Sequence, residues 1–297
     1  MIDYAIPVTT TPTRNRFQRI NYRKAFFVAL KYVVLVVVTL IIFAPGATAV
    51  LGGIRTTGEF LADPFGLPGE AGFQWQNFER ILSSPDFWNS LKNSALITAG
   101  VTVLGVFFSS CLAFAFSRMQ FVGKGTVFNI LSFGLLFPLV VATLPIFIQV
   151  RQLGLINSLW GVILPMVAFG LPGSVVILRG FFTAIPTELE DAAYIDGCST
   201  LGFFRFILLP MARPAIAAVA TLQVISGWNE YFLALLVLND PKLWPLPLGI
   251  MQFQGQFGTD WAGIMAYVTI LIIPALLFYV FTQRFIVTGL TGGELKG

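Results

Sequence analysis

Residues 93–117, NSALITAGVTVLGVFFSSCLAFAFS, form a run without one charged side chain, and this run decides the class of fold. A helix rises about 1.5 Å per residue, so about 20 apolar residues cross the roughly 30 Å hydrocarbon core of a bilayer. A helix that is apolar on every face has no side for water, and lipid solvates it instead. The run therefore predicts a transmembrane helix.

Five more runs of this kind predict five more spans. Four carry no charge, and one is interrupted only by Glu230. The uninterrupted runs are 32–54, 125–150, 152–178 and 261–283, and the interrupted run is 214–239. Because each run is longer than its helix, we place the helices near residues 30–52, 93–117, 127–149, 156–179, 214–237 and 262–282. The predicted fold is an all-α integral membrane protein with about six transmembrane helices.

The composition agrees with lipid as the solvent. Of the 297 residues, 56% are hydrophobic and 11% are charged, and the mean hydropathy is +0.82. A soluble domain carries about a quarter charged residues. The chain has no histidine, which excludes histidine acid–base chemistry and most catalytic metal sites. Cys111 and Cys198 form neither a disulfide framework nor a metal-ligand spacing, so we expect no cofactor or metal in this chain.

The first apolar run has two interpretations, an uncleaved anchor and a cleaved signal peptide. Ala47-Thr48-Ala49 has the small residues of a cleavage site. However, about thirty residues precede the run, and the run is longer than the apolar segment of a typical signal peptide. We therefore favour an uncleaved anchor.

Lysine and arginine are concentrated in alternate loops, which predicts the orientation because cytoplasmic loops carry the excess. With a cytoplasmic N-terminus, thirteen of the 18 basic residues lie inside and five outside. Those inside are Arg14, Arg16, Arg19, Arg23, Lys24, Lys31, Arg118, Lys124, Arg179, Arg205, Arg213, Arg284 and Lys296, and those outside are Arg55, Arg80, Lys92, Arg151 and Lys242. Both termini are therefore predicted to be cytoplasmic. Residues 1–29 form the N-terminal tail, residues 30–297 the transmembrane domain, and residues 284–297 its C-terminal tail.

The longest inside connection, residues 179–213, predicts a helix–turn–helix at the cytoplasmic surface. Thr187 and Glu190 have the spacing of a capping box, in which each side chain bonds a free backbone N–H at a helix start. Gly197 is placed to adopt the left-handed conformation that ends such a helix. A second helix is predicted to start at Ser199 or Thr200 and to end before Pro210.

Three elements of this loop follow one another at fixed spacing: Asp191-Ala192-Ala193, then Gly197, then Ile207-x-Leu209-Pro210. In this they resemble the EAA loop of binding-protein-dependent ABC permeases. The longer string PTELEDAAYIDG, residues 186–197, is similar to the carbohydrate-importing branch of that family. Asp191 is a departure, since the family usually has Glu there; the acidic arm is one methylene shorter but keeps its charge.

Two further stretches carry the resemblance. Trp228-Asn229-Glu230-Tyr231 in the fifth span is similar to a recurrent element of the same branch. The tail, residues 283–297, is similar to the C-terminus of maltose-type inner permeases. The resemblance implies a type I ABC importer permease fold, in a multi-pass protein of a bacterial inner membrane.

The function that the resemblance implies is that of the permease subunit of an ATP-driven importer. Its substrate would be a sugar or oligosaccharide delivered by an extracytoplasmic binding protein, with glycerol phosphate or a polyol as the alternative. The implied partners are two ATPase subunits, which bind ATP and Mg, a second permease subunit and membrane lipid. No nucleic acid is expected.

In such importers the EAA loop docks into a cleft of the ATPase subunit. The residues to which the resemblance gives this role are Glu190, Asp191, Ala192, Ala193, Gly197, Ile207, Leu209 and Pro210. Short alanine side chains allow close approach, and Phe203, Phe204 and Phe206 offer apolar anchors for an interface. The alternative is an amphipathic helix that rests on lipid headgroups. The spacing favours docking, and we expect the C-terminal tail to contact the ATPase as well.

Glu230 is the one acid well inside a predicted span. A charge at the bilayer centre costs roughly 3 kcal/mol on insertion scales, so Glu230 should face a cavity or a partner. Trp228, Asn229 and Tyr231 could join it in a sugar site, and Gln223, one heptad earlier, could share the cavity. The alternative is a polar lock between subunits, or a position wet from the outer surface. These five residues are the candidates for the translocation pathway.

Two other classes of function fit the sequence less well. A membrane enzyme would need a metal cluster or a nucleophile–base pair, and neither is found. A secondary transporter usually shows paired repeats and several intramembrane ionisable groups. The string Gly123-Lys124-Gly125-Thr126 lacks the upstream glycine spacing of a P-loop, so an ATPase, if one drives transport, is another chain.

The orientation is testable with single cysteines at Ser199 and Glu70, in a background without Cys111 and Cys198. An impermeant thiol reagent added to intact cells should label position 70 and leave position 199 unlabelled until the membrane is opened. The reverse pattern would overturn the predicted orientation.

Overall fold

The computed structural model describes residues 22–255 and 258–291, with the side chains of residues 22, 24, 25 and 284–291 outside the description. The chain divides into two compact units, Met1–Ala47 and Thr48–Gly297. The helices are α1 (Tyr22–Gly53), α2 (Thr57–Ala62), α3 (Gln76–Leu82), α4 (Pro85–Arg118), α5 (Lys124–Phe133), α6 (Thr143–Gln152), α7 (Trp160–Ala184), α8 (Glu188–Ile195), α9 (Thr200–Gly202), α10 (Leu209–Met211), α11 (Arg213–Trp228), α12 (Phe232–Val237), α13 (Leu246–Gly249) and α14 (Trp261–Thr291). Short 3₁₀ turns cover Gly134–Leu136, Pro241–Leu243 and Ile250–Phe253, and a π-helical turn covers Phe203–Leu208.

Four of the six predicted spans are single helices of sufficient length and apolarity to cross a membrane. They are Phe26–Gly53, Pro85–Arg118, Trp160–Ala184 and Trp261–Gln283. A fifth candidate is the pair Thr200–Met211 and Arg213–Trp228, which is bent by 78°. The described residues thus confirm a multi-span helical protein with four or five such helices, rather than the exact number six.

The third predicted span, 127–149, is wrong as one helix. α5 continues into a 3₁₀ turn that ends at Leu136. The next residue, Phe137, has an extended backbone with φ of −92° and ψ of 111°. Pro138 explains the break, because a proline disfavours the helical region for the residue before it. The chain then makes turns before α6 begins at Thr143, and Pro145 sits in the first turn of that helix, where its missing N–H costs nothing.

The fifth predicted span, 214–237, is also broken. α11 ends at Trp228, and α12 starts only at Phe232, so residues 229–231 interrupt the helix. Their backbone is non-helical, with Tyr231 at φ −121°. Glu230 is the one acid in this hydrophobic run, and the structure places the interruption at that acid.

The ends of the other spans also differ from the prediction. α1 starts at Tyr22, before the predicted residue 30, and α4 starts at Pro85 because Ser84 accepts a hydrogen bond from the Asp86 N–H as its N-cap. Three glycines among the last six residues of the sequence predict that residues 290–297 are not helical. α14 continues past residue 282 to Thr291, so this prediction is wrong at Leu290 and Thr291. Residues 292–297 of the C-terminal tail and residues 1–21 of the N-terminal tail lie outside the described residues.

Within the second unit, α4 packs along α7 and α11, and α11 packs along α14. Small residues bring the helices close together: a methyl group added at Gly227 would lie 2.9 Å from the Thr98 Cα, and one at Gly100 would lie 2.9 Å from Ile163. A core of fully buried aliphatic side chains fills the contact between α4, α7 and α12, including Ile97, Val101, Val162, Leu233 and Val237. These helices form the scaffold that holds both candidate sites.

The segments predicted to lie outside meet at one end of the second unit. Arg80 of the α2–α4 connection forms an ion pair with Asp260, which precedes α14. Asn93 Nδ2 donates to the carbonyl oxygen of Lys242 at 2.8 Å. In the α6–α7 turn, Asn157 Oδ1 accepts from the N–H groups of Asn239 and Asp240 at 2.8 and 2.9 Å. The grouping agrees with the alternation of loops on which the orientation prediction rests.

Asp260 is the N-cap that starts α14. Its carboxylate accepts from the Gly263 N–H at 2.9 Å and from the Thr57 hydroxyl at 3.1 Å, besides pairing with Arg80. Partial burial alone would raise the pKa of Asp260, but these hydrogen bonds and the Arg80 charge together lower it below 3.8. A carboxyl with a lowered pKa stabilises the folded state above its unfolded value and loses that contribution as pH falls through the folded value.

Replacing Asp260 with Ala should therefore destabilise the outer end of the unit. The loss expected for an N-cap is about 1 kcal/mol, and the matched control is Glu79→Ala, an exposed acid in α3. Thermal unfolding of the purified protein in lipid nanodiscs measures both. The difference between wild type and Asp260→Ala should be full at pH 7 and shrink below pH 3.8; a difference that stays constant down to pH 2.5 would contradict the role of the charge.

Candidate functional site in the loop between the fourth and fifth spans

The first helix of the predicted loop, α8, spans Glu188–Ile195 as the sequence indicated, but its N-terminus is capped differently from the prediction. Thr187 has helical φ and ψ of −70° and −23°, and its side chain caps nothing. Its backbone carbonyl accepts from the N–H groups of Glu190 and Asp191 at 2.9 and 3.0 Å. The predicted capping box is wrong, because the Glu190 carboxylate is engaged elsewhere.

The turn after α8 follows the prediction. Gly197 has φ of +81°, the left-handed conformation, and its N–H donates to the Tyr194 carbonyl at 3.0 Å. Ser199 then caps the second helical segment, with its hydroxyl accepting from the Gly202 N–H at 3.1 Å. This segment does not end before Pro210, because the π-helical turn leads directly into α10, which contains Pro210 and ends at Met211.

The eight predicted coupling residues do not share one face. Asp191, Ala192 and Gly197 are exposed, and Ala193 is buried at 6% exposure. Glu190, Ile207, Leu209 and Pro210 are half-buried. On α8, the positions 190 and 193 turn inward and the positions 191, 192 and 195 turn outward, as the helical period requires.

Glu190 turns inward to meet Arg118, the last residue of α4. The Glu190 Oε2 lies 3.4 Å from the Arg118 Nη1, and the two side chains are 15% and 5% exposed. The Arg118 Nη2 also donates to the carbonyl oxygens of Phe182 and Ile185, at 2.7 and 2.6 Å. The other Glu190 oxygen, Oε1, accepts from the Tyr194 hydroxyl at 3.0 Å. Sequence reasoning counted Arg118 only as a basic loop residue and missed this contact.

The three phenylalanines predicted as anchors also separate. Phe203 is fully buried, and Phe204 packs on Phe114 with ring centroids 4.8 Å apart. Only Phe206 remains open, at 71% exposure. Two aliphatic residues that the sequence analysis did not single out are more prominent, Ile195 at 86% and Leu201 at 72%. The inner side of the loop is thus a small hydrophobic core, and its outer side presents large apolar side chains.

The pathway candidate Gln223 lies inside the helix packing rather than in a cavity. It is 5% exposed, and its Nε2 donates to the Ser174 hydroxyl of α7 at 2.9 Å. A methyl group added at Gly105 or Gly170 would lie 3.1 or 2.6 Å from its amide. Gln223 therefore fills the space between α4, α7 and α11, and the shared cavity predicted for it is not found there.

Glu230 stabilises the break in the fifth span. It is 7% exposed, and its Oε1 accepts from the Leu233 N–H at 2.6 Å, in the first turn of α12. The carboxylate thus satisfies a backbone donor that the interruption leaves free, as an N-cap does. This partner of the buried carboxylate lies within the same chain.

The neighbours of Glu230 point in different directions. Asn229 is exposed, and its side-chain amide donates to the Ile225 carbonyl, one turn earlier in α11, at 2.8 Å. Tyr231 is 41% exposed. Trp228 is half-buried, and its Nε1 is buried without a hydrogen-bond partner. Trp228 and Asn229 share one groove of about 360 Å³ between α4, α11 and α14, whose other lining is mostly apolar. The four residues therefore do not form one polar site.

Metal chemistry finds no support in the described residues, among which no group of three or more Cys, Asp and Glu side chains is arranged to hold an ion. The polar contacts described above all join parts of this chain to one another. What the geometry offers to other molecules is the outer side of the loop and the exposed residues at the break.

Residues 102–288 match the family described as the binding-protein-dependent transport system inner membrane component, and the chain belongs to this family. It is a membrane transport permease, not an enzyme. The trehalose/maltose transport system permease protein MalG of Thermococcus litoralis is 38% identical over 75% of this chain and 81% of its own length. The polygalacturonan/rhamnogalacturonan transport system permease protein YtcP of Bacillus subtilis is 32% identical over 93% of this chain and 100% of its own.

A solved structure shares the fold. The crystal structure of a bacterial ABC transporter involved in the import of the acidic polysaccharide alginate has a chain that superposes with a TM-score of 0.76 at 23% identity. The superposition covers 92% of this chain and 99% of that one. The type I ABC importer permease fold that the sequence predicted is therefore confirmed.

The cap at Glu230 leads to a prediction about its chemistry. Glu230→Gln keeps an acceptor for the Leu233 N–H and should leave the amount of folded protein near that of wild type. Glu230→Ala removes the acceptor and should cost about 1 kcal/mol or more of stability, since a buried donor is left unpaired. Folded yield and thermal unfolding in detergent measure both variants. Equal stability of Ala and wild type would show that the cap is not needed, and Asn229→Ala is the exposed control.

Proposed function

We propose that this chain is the permease subunit of an ATP-driven importer and that its loop, residues 179–213, couples it to an ATPase subunit. The observation that carries the proposal is the two-sided character of the loop. Its inner side packs on α4 and α7, where Phe203 and Leu208 of the loop meet Phe182 of α7, and all three are fully buried. Its outer side exposes Asp191, Ala192 and Ile195, a surface that the fold holds in place for another protein.

Membership of the family supports the assembly around this chain. The family description names a binding-protein-dependent system, and a fold of this kind occurs in a solved ABC transporter. In the proposed complex two ATPase subunits bind ATP and Mg, and a second permease subunit completes the membrane part. In this proposal nucleotide and metal are bound by the ATPase subunits, and this chain receives the movement of the ATPase through the loop.

The proposed orientation has both termini and the coupling loop on the cytoplasmic side of a bacterial inner membrane. It is supported by the thirteen-to-five distribution of basic residues. It is also supported by the structure's separation of loops, since Arg80 and Asp260 meet in one group of connections while Arg118 and Glu190 meet in another.

The proposed substrate is a sugar or oligosaccharide. One of the relatives named above is named for trehalose and maltose, and the other for polygalacturonan and rhamnogalacturonan, so the two names share the saccharide class but not one substrate. Exposed Asn229 and Tyr231 at the break in the fifth span are the residues of this chain that we propose to meet the substrate. Uptake assays with maltose, trehalose and oligogalacturonides, each with and without the binding protein, test the class.

The coupling role is tested by comparing two glycines with the same backbone conformation. Gly197 has φ of +81° and Gly123, in the α4–α5 turn, has φ of +79°, and nothing lies within 4 Å of a methyl group added to either. Valine strains both positions equally, because a β-branched residue disfavours positive φ. Gly197→Val should reduce co-purification of the ATPase and ATP-dependent uptake by about tenfold, and Gly123→Val should leave both near wild type.

Two outcomes would contradict the proposed coupling. One is wild-type co-purification and uptake in both Gly197→Val and Asp191→Lys. The other is an equal loss in Gly197→Val and Gly123→Val, which would point to general strain rather than a docking surface. Gly197→Asn, which tolerates the left-handed conformation better than valine, should fall between valine and wild type.

A further inference from the structure

We infer that Arg118 is a positioning residue: through Glu190 and Tyr194 it fixes the docking helix α8 to the membrane helices, so that movement of α8 is transmitted to α4 and α7. The inference rests on the proposed coupling function and concerns how the docking surface is held. Arg118 and Glu190 are turned away from it.

The guanidinium of Arg118 joins three helices at one point. It extends from the last turn of α4, its Nη2 donates to the Phe182 and Ile185 carbonyls at the end of α7, and its Nη1 lies 3.4 Å from Glu190 in the first turn of α8. The carbonyls at a helix end have no partner within the helix, so a cation there satisfies them and suits the dipole. One side chain of α4 thereby contacts both the end of α7 and the start of α8.

The chain of polar contacts continues into the second half of the loop. Glu190 accepts from the Tyr194 hydroxyl at 3.0 Å, and that hydroxyl lies 3.5 Å from the Thr200 hydroxyl in α9. The Tyr194 ring contacts Phe203 with centroids 6.3 Å apart. Polar contacts therefore run without interruption from α4 to the segment that enters the fifth span, along one side of the loop.

Burial makes this contact sensitive to a single change. With 5% of its side chain exposed, Arg118 has little access to water, and its Nε has no hydrogen-bond partner. Removing the partner of a buried charge costs much more than losing a surface ion pair, because the remaining charge is left uncompensated. The angle of α8 should therefore depend on Glu190 more than on any exposed acid of the same helix.

A second basic residue shows that the contact is part of a braced junction. Arg179 of α7 donates from Nε to the Phe116 carbonyl of α4 at 3.3 Å, and its guanidinium lies 4.0 Å from the centre of the Phe128 ring in α5. Arg179 links α4, α7 and α5, while Arg118 adds α8. Of these two arginines, Arg118 is the one that contacts the proposed docking helix.

The test uses Glu190→Gln, which keeps the size of the side chain and its bond to Tyr194 while removing the charge that faces Arg118. The matched control is Glu188→Gln, an exposed acid in the same turn. Tyr194→Phe, which removes only a hydroxyl and leaves the ion pair, is the second variant in case Glu190→Gln does not fold. Each is assembled with its ATPase subunits, second permease and binding protein in proteoliposomes, with the saccharide that wild type takes up from maltose, trehalose and oligogalacturonides as probe.

Glu190→Gln should keep the ATPase in the purified complex and continue to hydrolyse ATP, while solute imported per ATP falls by about two- to tenfold. Tyr194→Phe should show a smaller fall, and Glu188→Gln none. A merely structural role would lower the amount of complex without changing this ratio. Loss of the ATPase from Glu190→Gln complexes would overturn the inference, because it would make Glu190 a docking contact. A wild-type ratio of imported solute to hydrolysed ATP in both Glu190→Gln and Tyr194→Phe would overturn it as well.

A distance measurement separates this inference from the proposed function. Spin labels at Gln120, beyond the end of α4, and at Asp196, at the end of α8, report the position of the docking helix in the cysteine-free chain. Glu190→Gln and Tyr194→Phe should broaden the distance distribution and Glu188→Gln should not. If the distance distribution is unchanged in both Glu190→Gln and Tyr194→Phe, the positioning role is overturned even if transport occurs. If the wild-type complex shows no ATP-dependent uptake, that result counts against the proposed function alone.

Discussion

The lack of hydrogen-bond partners in the hydrocarbon core of the bilayer is the constraint from which the rest of this structure follows. Every backbone N–H and C=O group at that depth must be satisfied within the protein, which favours continuous helices and makes each interruption costly. The chain nevertheless has two interruptions within its apolar runs. In both, the freed groups are bonded locally: Ala142 N–H reaches the Leu139 carbonyl at 3.0 Å, and Leu233 N–H reaches the Glu230 carboxylate at 2.6 Å.

This constraint also explains which features could be predicted from the sequence. Continuous spans were predictable because lipid requires long apolar runs, and α4, α7 and α14 fall where the runs do. The break at Pro138 was not, because a proline within a membrane helix produces a kink, a break or neither, depending on neighbours that the sequence does not show. The sequence predicted that Glu230 is a buried acid in need of a partner, but it did not predict a break there. In the structure the carboxylate accepts from the backbone N–H of Leu233, three residues ahead.

The docking loop shows the same limit at smaller scale. The turn at Gly197 was predictable because a left-handed residue is a local requirement of the backbone. The capping box at Thr187 was not fulfilled because Glu190 has a stronger partner in Arg118, which is distant in the sequence and brought near only by the packing of α4 on α7. A local motif predicts local structure only while no tertiary contact competes for the same side chain. The family string at residues 186–197 thus combines residues with inward and outward roles.

The solid packing of α4, α7 and α11 has a consequence for how this family member transports anything. Gln223 fills the space between these helices and bonds to Ser174, so this polar side chain contributes to the packing of the three helices. Asn229 and Tyr231 are exposed where the fifth span breaks. In the proposed assembly, then, a passage forms between this chain and another permease subunit, and opening it requires the helices to move as a packed body rather than to separate from one another. A body of that kind is moved most directly at an edge where several helices meet, and Arg118 marks such an edge, joining the ends of α4 and α7 to the start of α8.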